Sequence, residues 1–159
     1  MVRLAKREDL VRINQLRWQV NAIHCEARPD IFRSGFCDEM RDFIYDIWEF
    51  DNSDVIAAVR DDVICGFACV EYITEPLSAF QWKRSFYHVS EFCVDSEYRR
   101  QGVGTELFAF IREHARSMGL DKIELDVWEF NDTALKFYES LGFRTYRRYM
   151  EFDNQPEME

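Results

Sequence analysis

Several features that mark whole classes of protein are missing from this sequence. No apolar run approaches the ~18 residues that cross a bilayer, and Met1 to Lys6 lack the apolar core of a signal peptide. We therefore expect neither membrane insertion nor secretion. The five cysteines are odd in number and follow no zinc-like spacing, which predicts free thiols in a reducing cytoplasm and no metal site.

Positive charge is also scarce. Lys and Arg number 20 against 30 Asp and Glu, which gives a formal net charge of −10. This balance argues against nucleic acid as a direct partner and favours cationic partners. The same charge would also serve solubility alone, and the sequence does not decide between these two roles.

The 159 residues are 47% hydrophobic and show no internal repeat or linker, so we expect one domain over residues 1–159 with a substantial core. Hydrophobic spacing and turn residues predict mixed helices and strands. Gly66 interrupts a long strand, which predicts a bulge or a close approach of the backbone. The expected order is strand 3–5, helix from 8 to about 23, helix from 38, strands 54–60, 63–72 and 86–95, helix 103–118, strand 123–127, helix from 131 or 132 to 142, and strand 143–152.

One stretch organises the others. The strand 86–95 leads into a turn with the sequence Arg-Arg-Gln-Gly-Val-Gly, residues 99–104, which opens an amphipathic helix. Backbone N–H groups at such a helix start form an anion site, so a phosphate-bearing ligand is expected. Leu107 stands where a dinucleotide-binding motif needs glycine or alanine, and Thr105-Glu106 replace the Lys-Ser/Thr of a Walker loop. A bland surface turn is the alternative.

A second motif lies downstream. It reads Asn131-Asp132-Thr133-Ala134-Leu135-Lys136-Phe137-Tyr138, then Leu141-Gly142-Phe143. With the Arg-x-x-Gly-x-Gly turn, it resembles the GNAT superfamily of acetyl-CoA-dependent N-acetyltransferases. The resemblance implies an α/β fold in which a mixed, mostly antiparallel, twisted sheet is splayed in the middle and flanked by about four helices.

The resemblance also implies the site of acetyl-CoA. Backbone N–H groups of the turn would bind the pyrophosphate, two arginines would add charge, and the backbone of the preceding strand would hold the pantetheine arm. Asn131 either binds the cofactor or only caps its helix. The cofactor-binding residues predicted in this way are Phe92, Cys93, Val94, Arg99, Arg100, Gln101, Gly102, Val103, Gly104, Thr105, Asn131 and Phe137.

Acyl transfer to an amine requires removal of a proton from the amine. Glu91, in the middle of the central strand, is the first candidate for the base, and His88 is the second. A water relay is a third option. In a regular strand His88, Phe92 and Val94 would share one face and Glu91 would lie opposite, although a bulge would change this parity. Tyr138 stands where the family places a tyrosine beside the CoA sulfur, or else it is a core residue.

Cys93 is a poor candidate for a covalent acetyl carrier, because no activating cation is evident near it in the sequence. The acceptor is open. Residues 24–54 hold nine acidic residues and three arginines, so a cationic amine held with help from Trp18 and Trp48 is one prediction. These acids could equally lie on a solvated helix face. The sequence leaves open two alternative functions: a CoA-binding sensor without turnover, and a protein or peptide N-acetyltransferase. It also leaves open whether the protein forms a homodimer.

Overall fold

A computed structural model of the chain describes residues 1–155. It divides into two compact units, Met1–Asp126 and Val127–Glu159, of which 156–159 lie outside the described residues. The first unit has the strands β1 (Val2–Leu4), β2 (Ser53–Arg60), β3 (Val63–Glu75), β4 (Arg84–Val94) and β5 (Ile123–Leu125) and the helices α1 (Leu10–Ala27), α2 (Asp38–Glu49) and α3 (Val103–Ser117). The second unit has the helix α4 (Asp132–Ser140).

The five strands form one mixed sheet. Their order is β1-β2-β3-β4-β5, and every neighbouring pair is antiparallel except β4 and β5, which run parallel. The strand residues alternate between two cores, because successive side chains of a strand point to opposite faces. Leu10, Ile13, Leu16, Ile44 and Ile47 from α1 and α2 pack on one face, whereas Val103, Leu107, Ile111 and Ala115 from α3 pack on the other. The predicted mixed α/β fold with about four helices is confirmed.

Gly66 fulfils both expectations for a glycine inside a strand. The pairing of β2 with β3 shifts by one residue beside it, since Ala58 opposes Gly66 whereas Val59 opposes Ile64. A Cβ atom at Gly66 would also lie 2.9 Å from the backbone oxygen of Cys93, and 3.2 Å from a methyl carbon of Val103. The glycine therefore lets the end of β4 and the start of α3 approach β3 closely.

The limits of the elements differ from the prediction mainly at their ends. Strand β3 continues to Glu75, so the loop before β4 spans 76–83 instead of 73–84. Gly119 has φ +74° just after α3, as expected for a left-handed helix end. Residues 143–152 were expected to form a strand, but the described structure assigns none there. A strand requires a hydrogen-bonded neighbour. Within the described part of the second unit, residues 127–155, no strand is assigned that could pair with this stretch.

Candidate active site

The turn before α3 places a run of backbone N–H groups at the start of the helix. Arg100 and Gly102 both adopt left-handed conformations, with φ of +59° and +81°. The first hydrogen bond of the helix runs from the Glu106 N–H to the Gly102 carbonyl at 3.0 Å. The amides of Val103, Gly104 and Thr105 precede it, and amides of a first helical turn have no acceptor within their own helix. Such a group of amides at a helix start is chemically suited to an anion, and the phosphate site stays a prediction.

The charged groups around this turn favour an anion. Arg99 and Arg100 are both exposed, and Arg99 donates from Nε to the Val94 carbonyl at 3.4 Å. Glu106 is the one acidic residue in the first turn of α3. Its carboxylate accepts from Arg60 at 2.6 Å, and this hydrogen bond lowers the pKa of Glu106. The pair offsets a negative charge that would otherwise weaken anion binding at the helix start.

The connection from β4 to the turn is fixed by Asp95, which is 2% exposed. Burial would raise the pKa of Asp95, but hydrogen bonds from the Glu97 amide, Gln19 and Arg12 lower it overall. Arg12 reaches this carboxylate from α1 in a close ion pair. Arg12 of α1 therefore anchors Asp95, the residue that directly follows β4 on the way to the glycine turn.

The β5 side of β4 is paired over only part of its length. The described register of the parallel pair ends at Val89 opposite Leu125. Beyond it, residues 90–94 continue β4 toward the glycine turn while their pairing with β3 continues on the other side. Backbone groups of Phe92, Cys93 and Val94 that face away from β3 can therefore serve a ligand that lies along the strand, in the manner of an added strand.

A bulge in β4 changes which side chains share a face. Cys69 opposes Glu91 whereas Val70 opposes Val89, so Ser90 is an extra residue. The Ser90 hydroxyl donates to the Cys69 carbonyl at 3.3 Å at this point.

Because of this bulge, the side chains of β4 do not alternate as they would in a regular strand, and the bulge alternative applies. Phe92 and Val94 pack on the α3 side with Tyr87 and Val89. Glu91 lies on the α1 and α2 side, where the neighbouring Cys93 is packed. His88 alternates with Tyr87 and Val89, so it lies on the same face as Glu91. The bulge brings the two candidate bases to one side of the sheet.

The Glu91 carboxylate is held by an arginine that sequence reasoning missed. Arg17 of α1 donates from Nε to one Glu91 oxygen at 2.9 Å and from Nη2 to the other at 3.1 Å. Arg17 is 9% exposed and the Glu91 side chain 28%. A two-pronged pair of this kind fixes the position and direction of the carboxylate. Glu91 is therefore a compensated charge instead of a free one.

A second carboxylate was also missed on this face. Glu71 of β3 is the register partner of His88, and both side chains are half-buried. Cys69 and Glu71 are two residues apart in β3 and share the α1 and α2 face. Directly opposed residues of an antiparallel pair have Cβ atoms about 4.5–5.5 Å apart. The strand period in Val63–Glu75 was the available signal for Glu71, but no feature of the sequence indicates the register that places it beside His88.

The two cysteines on this face are unreactive by environment. Burial raises the pKa of Cys93 to about 12, and burial likewise raises that of Cys69 well above its ordinary value. The thiolate is the nucleophilic form of cysteine, so a covalent acetyl-cysteine on either residue is disfavoured. Cys93 can contribute to the site through its backbone.

Helix α4 carries the second motif. The Asn131 side chain accepts from the Ala134 N–H at 3.2 Å and so caps the helix, as one of its two predicted roles requires. The ring of Tyr138 lies 5.5 Å from that of Phe137 and meets the ring of Phe143 edge-on at 5.7 Å. Tyr138 is therefore oriented by aromatic contacts within its own unit.

The acidic residues of segment 24–54 do not converge on a cleft. Eight of the nine are exposed, and α2 turns its apolar residues toward the core. The ninth, Asp54, accepts hydrogen bonds from Tyr87 at 2.8 Å and from His114 at 3.1 Å on the α3 side. The solvated-face alternative accounts for most of this charge.

The two tryptophans proposed to hold a cation differ. Trp48 is half-buried, packs against the α1 and α2 core and donates its indole N–H to the Ala5 carbonyl at 3.0 Å. Trp18 is 58% exposed and stacks on Phe36.

In residues 1–155, no group of three His, Cys, Asp or Glu side chains is arranged to hold a metal ion. Within the same residues, no helix is long and apolar enough to cross a membrane.

Known proteins resemble this chain in sequence. Glucosamine 6-phosphate N-acetyltransferase of Trypanosoma brucei brucei is 39% identical over 70 residues, which are 44% of this chain and 46% of that protein. L-ornithine N5-acetyltransferase NATA1 of Arabidopsis thaliana is 28% identical over 91 residues, which are 57% of this chain and 38% of that protein. The chain thus spans less than half the length of either of these relatives.

Solved structures resemble it over almost their full length. A tetramutant of the BH1408 protein from Bacillus halodurans is 30% identical, with a TM-score of 0.92 over 96% of this chain and 99% of that one. Aminoglycoside N-acetyltransferase AAC(6')-Iy in complex with CoA is 18% identical, with a TM-score of 0.77 over 98% and 94% of the two chains, and shows a likeness of fold.

The description "Acetyltransferase (GNAT) family" belongs to a family model that matches residues 18–143. That match covers well over half of the chain, and this protein is therefore a member of the GNAT family of acyltransferases.

Proposed function

We propose that this protein is an N-acetyltransferase that transfers the acetyl group of acetyl-CoA to a primary amine, by direct attack in a ternary complex. The observation that carries the proposal is the continuity of β4 with the glycine turn. Strand β4 has a bulge at Ser90, and its outer edge pairs with β5 only at residues 87–89. The chain then passes through the glycine turn to the start of α3. One extended ligand with a pyrophosphate at one end and an amide-containing arm matches this path.

The chain holds the acetyl donor mainly with its backbone. The amides of residues 100–105 would bind the pyrophosphate, and Arg99 and Arg100 would add positive charge. The backbone of Phe92, Cys93 and Val94 would pair with the pantetheine arm, and an N–H near Phe92 would donate to the thioester oxygen as it gains charge. The family resemblance would add Phe137 of α4 to the residues that hold acetyl-CoA, whereas Asn131 caps its helix.

The acceptor amine would approach from the α1 and α2 face. An alkylamine with a pKa of about 10.4 costs on the order of 4–5 kcal/mol to deprotonate at pH 7. The shared face of Glu91 and His88 supports either one, or a water that they hold, as the group that would receive the proton. Tyr138 would stabilise the departing thiolate by a hydrogen bond.

A cationic acceptor is supported by Glu71 more than by the surface acids. The charge of Glu91 is offset by Arg17, which leaves Glu71 as a carboxylate beside His88 that can favour an ammonium group. Exposed Trp18 adds an aromatic face. Five free cysteines suit action in a reducing cytoplasm.

Release of CoA thiol from acetyl-CoA, measured across a panel of amines, tests the proposal. The panel includes a simple alkylamine, ornithine, glucosamine 6-phosphate, spermidine, an aminoglycoside and a lysine peptide. We expect turnover with at least one amine and a preference for polycations that shrinks as salt is added. Acetyl-CoA binding without turnover of any amine would instead identify a CoA-binding sensor.

A further inference from the structure

Arg17 uses all three nitrogens of its guanidinium group inside the protein. Besides the bonds from Nε and Nη2 to Glu91, its Nη1 donates to the Asn14 side chain at 3.0 Å and to the backbone carbonyl of Met40. Its guanidinium carbon also lies 5.5 Å from the ring centre of Phe36. Each guanidinium nitrogen of a residue that is 9% exposed thus has an acceptor.

These partners belong to four separate parts of the chain. Asn14 and Arg17 lie on α1, Met40 lies in the first turn of α2, and Phe36 lies in the segment between the two helices. Glu91 lies just after the bulge of β4, 74 positions along the chain from Arg17. One guanidinium therefore connects the candidate catalytic strand to the segment that bounds the acceptor face. The Asn14 side chain reinforces this by donating to the Arg41 carbonyl at 3.0 Å.

We propose that Arg17 is a positioning residue for acetyl transfer, which acts by fixing the Glu91 carboxylate relative to the segment around Phe36 and Met40. This inference rests on the proposed N-acetyltransferase function and adds a residue to it. A carboxylate that orients an amine or a water must be held within a few tenths of an ångström of its productive position. The forked geometry supplies this constraint, and a lysine would supply charge without it.

Arg12 provides an internal contrast. It lies on the same helix, but it pairs with Asp95, which lies between the end of β4 and the glycine turn. If each arginine serves the region it contacts, Arg12 acts on acetyl-CoA binding and Arg17 acts on the acceptor step. A purely structural role for Arg17 would instead lower stability and alter both steps together.

The test compares Arg17→Lys, Arg17→Gln, Glu91→Gln and the double variant Arg17→Gln/Glu91→Gln with wild type. Arg41→Gln, which removes an exposed arginine paired with Asp38 and Asp42, is the matched control. The measurements are acetyl-CoA affinity by calorimetry, and kcat and KM as functions of pH for the amine of the panel that wild type turns over best.

We expect Arg17→Lys to keep the acetyl-CoA affinity of wild type and to lower kcat/KM for the amine about tenfold. Once Glu91 is already Gln, the further substitution of Arg17 should change kcat/KM less than twofold, since Arg17 acts through Glu91.

Three results would overturn the inference. One is an Arg17→Lys variant with wild-type kinetics. Another is an Arg17→Gln effect that is equally large with and without Glu91. The last is a loss of acetyl-CoA affinity that parallels the loss of kcat/KM. If wild type binds acetyl-CoA but acetylates no amine, the proposed function fails first, and the role of Arg17 falls with it.

Discussion

The two sides of the candidate site are built by different means. The cofactor turn is made of backbone: two left-handed residues, Arg100 and Gly102, precede the consecutive amides that begin α3. The acceptor face is made of side chains from distant parts of the chain, with Arg17, Glu71, His88 and Glu91 arriving from one helix and two strands. A backbone site is encoded locally and tolerates change in its neighbours, whereas a side-chain site depends on register and packing. The predictions below test whether donor binding and acceptor chemistry separate in this way.

The largest effect is expected from Tyr138→Phe. A hydrogen bond to a charged group contributes about 1.5–3 kcal/mol, so kcat should fall by about 10–100-fold while acetyl-CoA affinity stays near wild type. Steady-state kinetics and calorimetry measure the two quantities. Tyr45→Phe is the control, since Tyr45 lies on α2 and its ring contacts Arg7, before α1. An unchanged kcat would reduce Tyr138 to packing against Phe137 and Phe143.

A somewhat smaller effect is expected from the base. Glu91→Gln should lower kcat/KM about tenfold and remove the acidic limb of its pH profile, because a neutral amide accepts no proton. His88→Gln should do less. The reverse ranking would assign the base to His88, and small effects from both would favour a water relay.

A steric change at Gly66 probes how the donor side depends on packing. Gly66→Ala forces a methyl group against the Cys93 carbonyl and Val103, and such overpacking costs about 1–3 kcal/mol of folding free energy. Because Val103 opens α3, we expect acetyl-CoA affinity to fall a few-fold as well. Gly119→Ala is the control, with a strained φ of +74° but no atom within 4 Å of the new methyl, at the other end of α3. It should lower the thermal midpoint and leave affinity intact; equal losses of affinity would contradict the packing explanation.

The smallest effect concerns acid stability. Two hydrogen bonds from the Arg3 guanidinium to the Asp9 carboxylate, at 2.6 and 3.1 Å, lower the pKa of Asp9. A carboxylate whose pKa is lowered in the folded state stabilises the protein fully at pH values above its pKa in the unfolded chain, about 3.9. This stabilisation is lost as the pH falls through the pKa of the folded state. Urea unfolding from pH 6 down to about pH 3 should therefore show a declining free energy of unfolding. Asp9→Asn should flatten part of that decline, and an unchanged slope would contradict the assignment.

The parts of the site that the sequence predicted are those encoded over a few residues. Gly102 permits the left-handed conformation of the turn, and the helix that follows it fixes where the amides point. The helix cap at Asn131 and the close approach at Gly66 are local in the same sense. These features need no knowledge of which strand neighbours which.

The parts that the sequence did not predict depend on register and on distant contacts. The extra residue at Ser90 moves Glu91 to the face of His88, and no residue type marks such a bulge. The partners Arg17 and Glu91 are 74 positions apart. Trp48 and Asp54 were grouped with the acceptor by their place in the chain, yet one donates into the core and the other turns to the α3 face.

The most direct test of this division is an acetyl-CoA titration of wild type, Gly102→Ala, Gly102→Asp and Glu91→Gln by calorimetry. At Gly102 a Cβ would meet no atom within 4 Å, so alanine adds only backbone strain of about 1–2 kcal/mol, while aspartate adds negative charge at the phosphate site. We predict a few-fold loss for Gly102→Ala, a loss of more than tenfold for Gly102→Asp, and wild-type affinity for Glu91→Gln. Unchanged affinity in Gly102→Asp, or an equal loss in Glu91→Gln, would contradict a donor site built from the backbone of this turn.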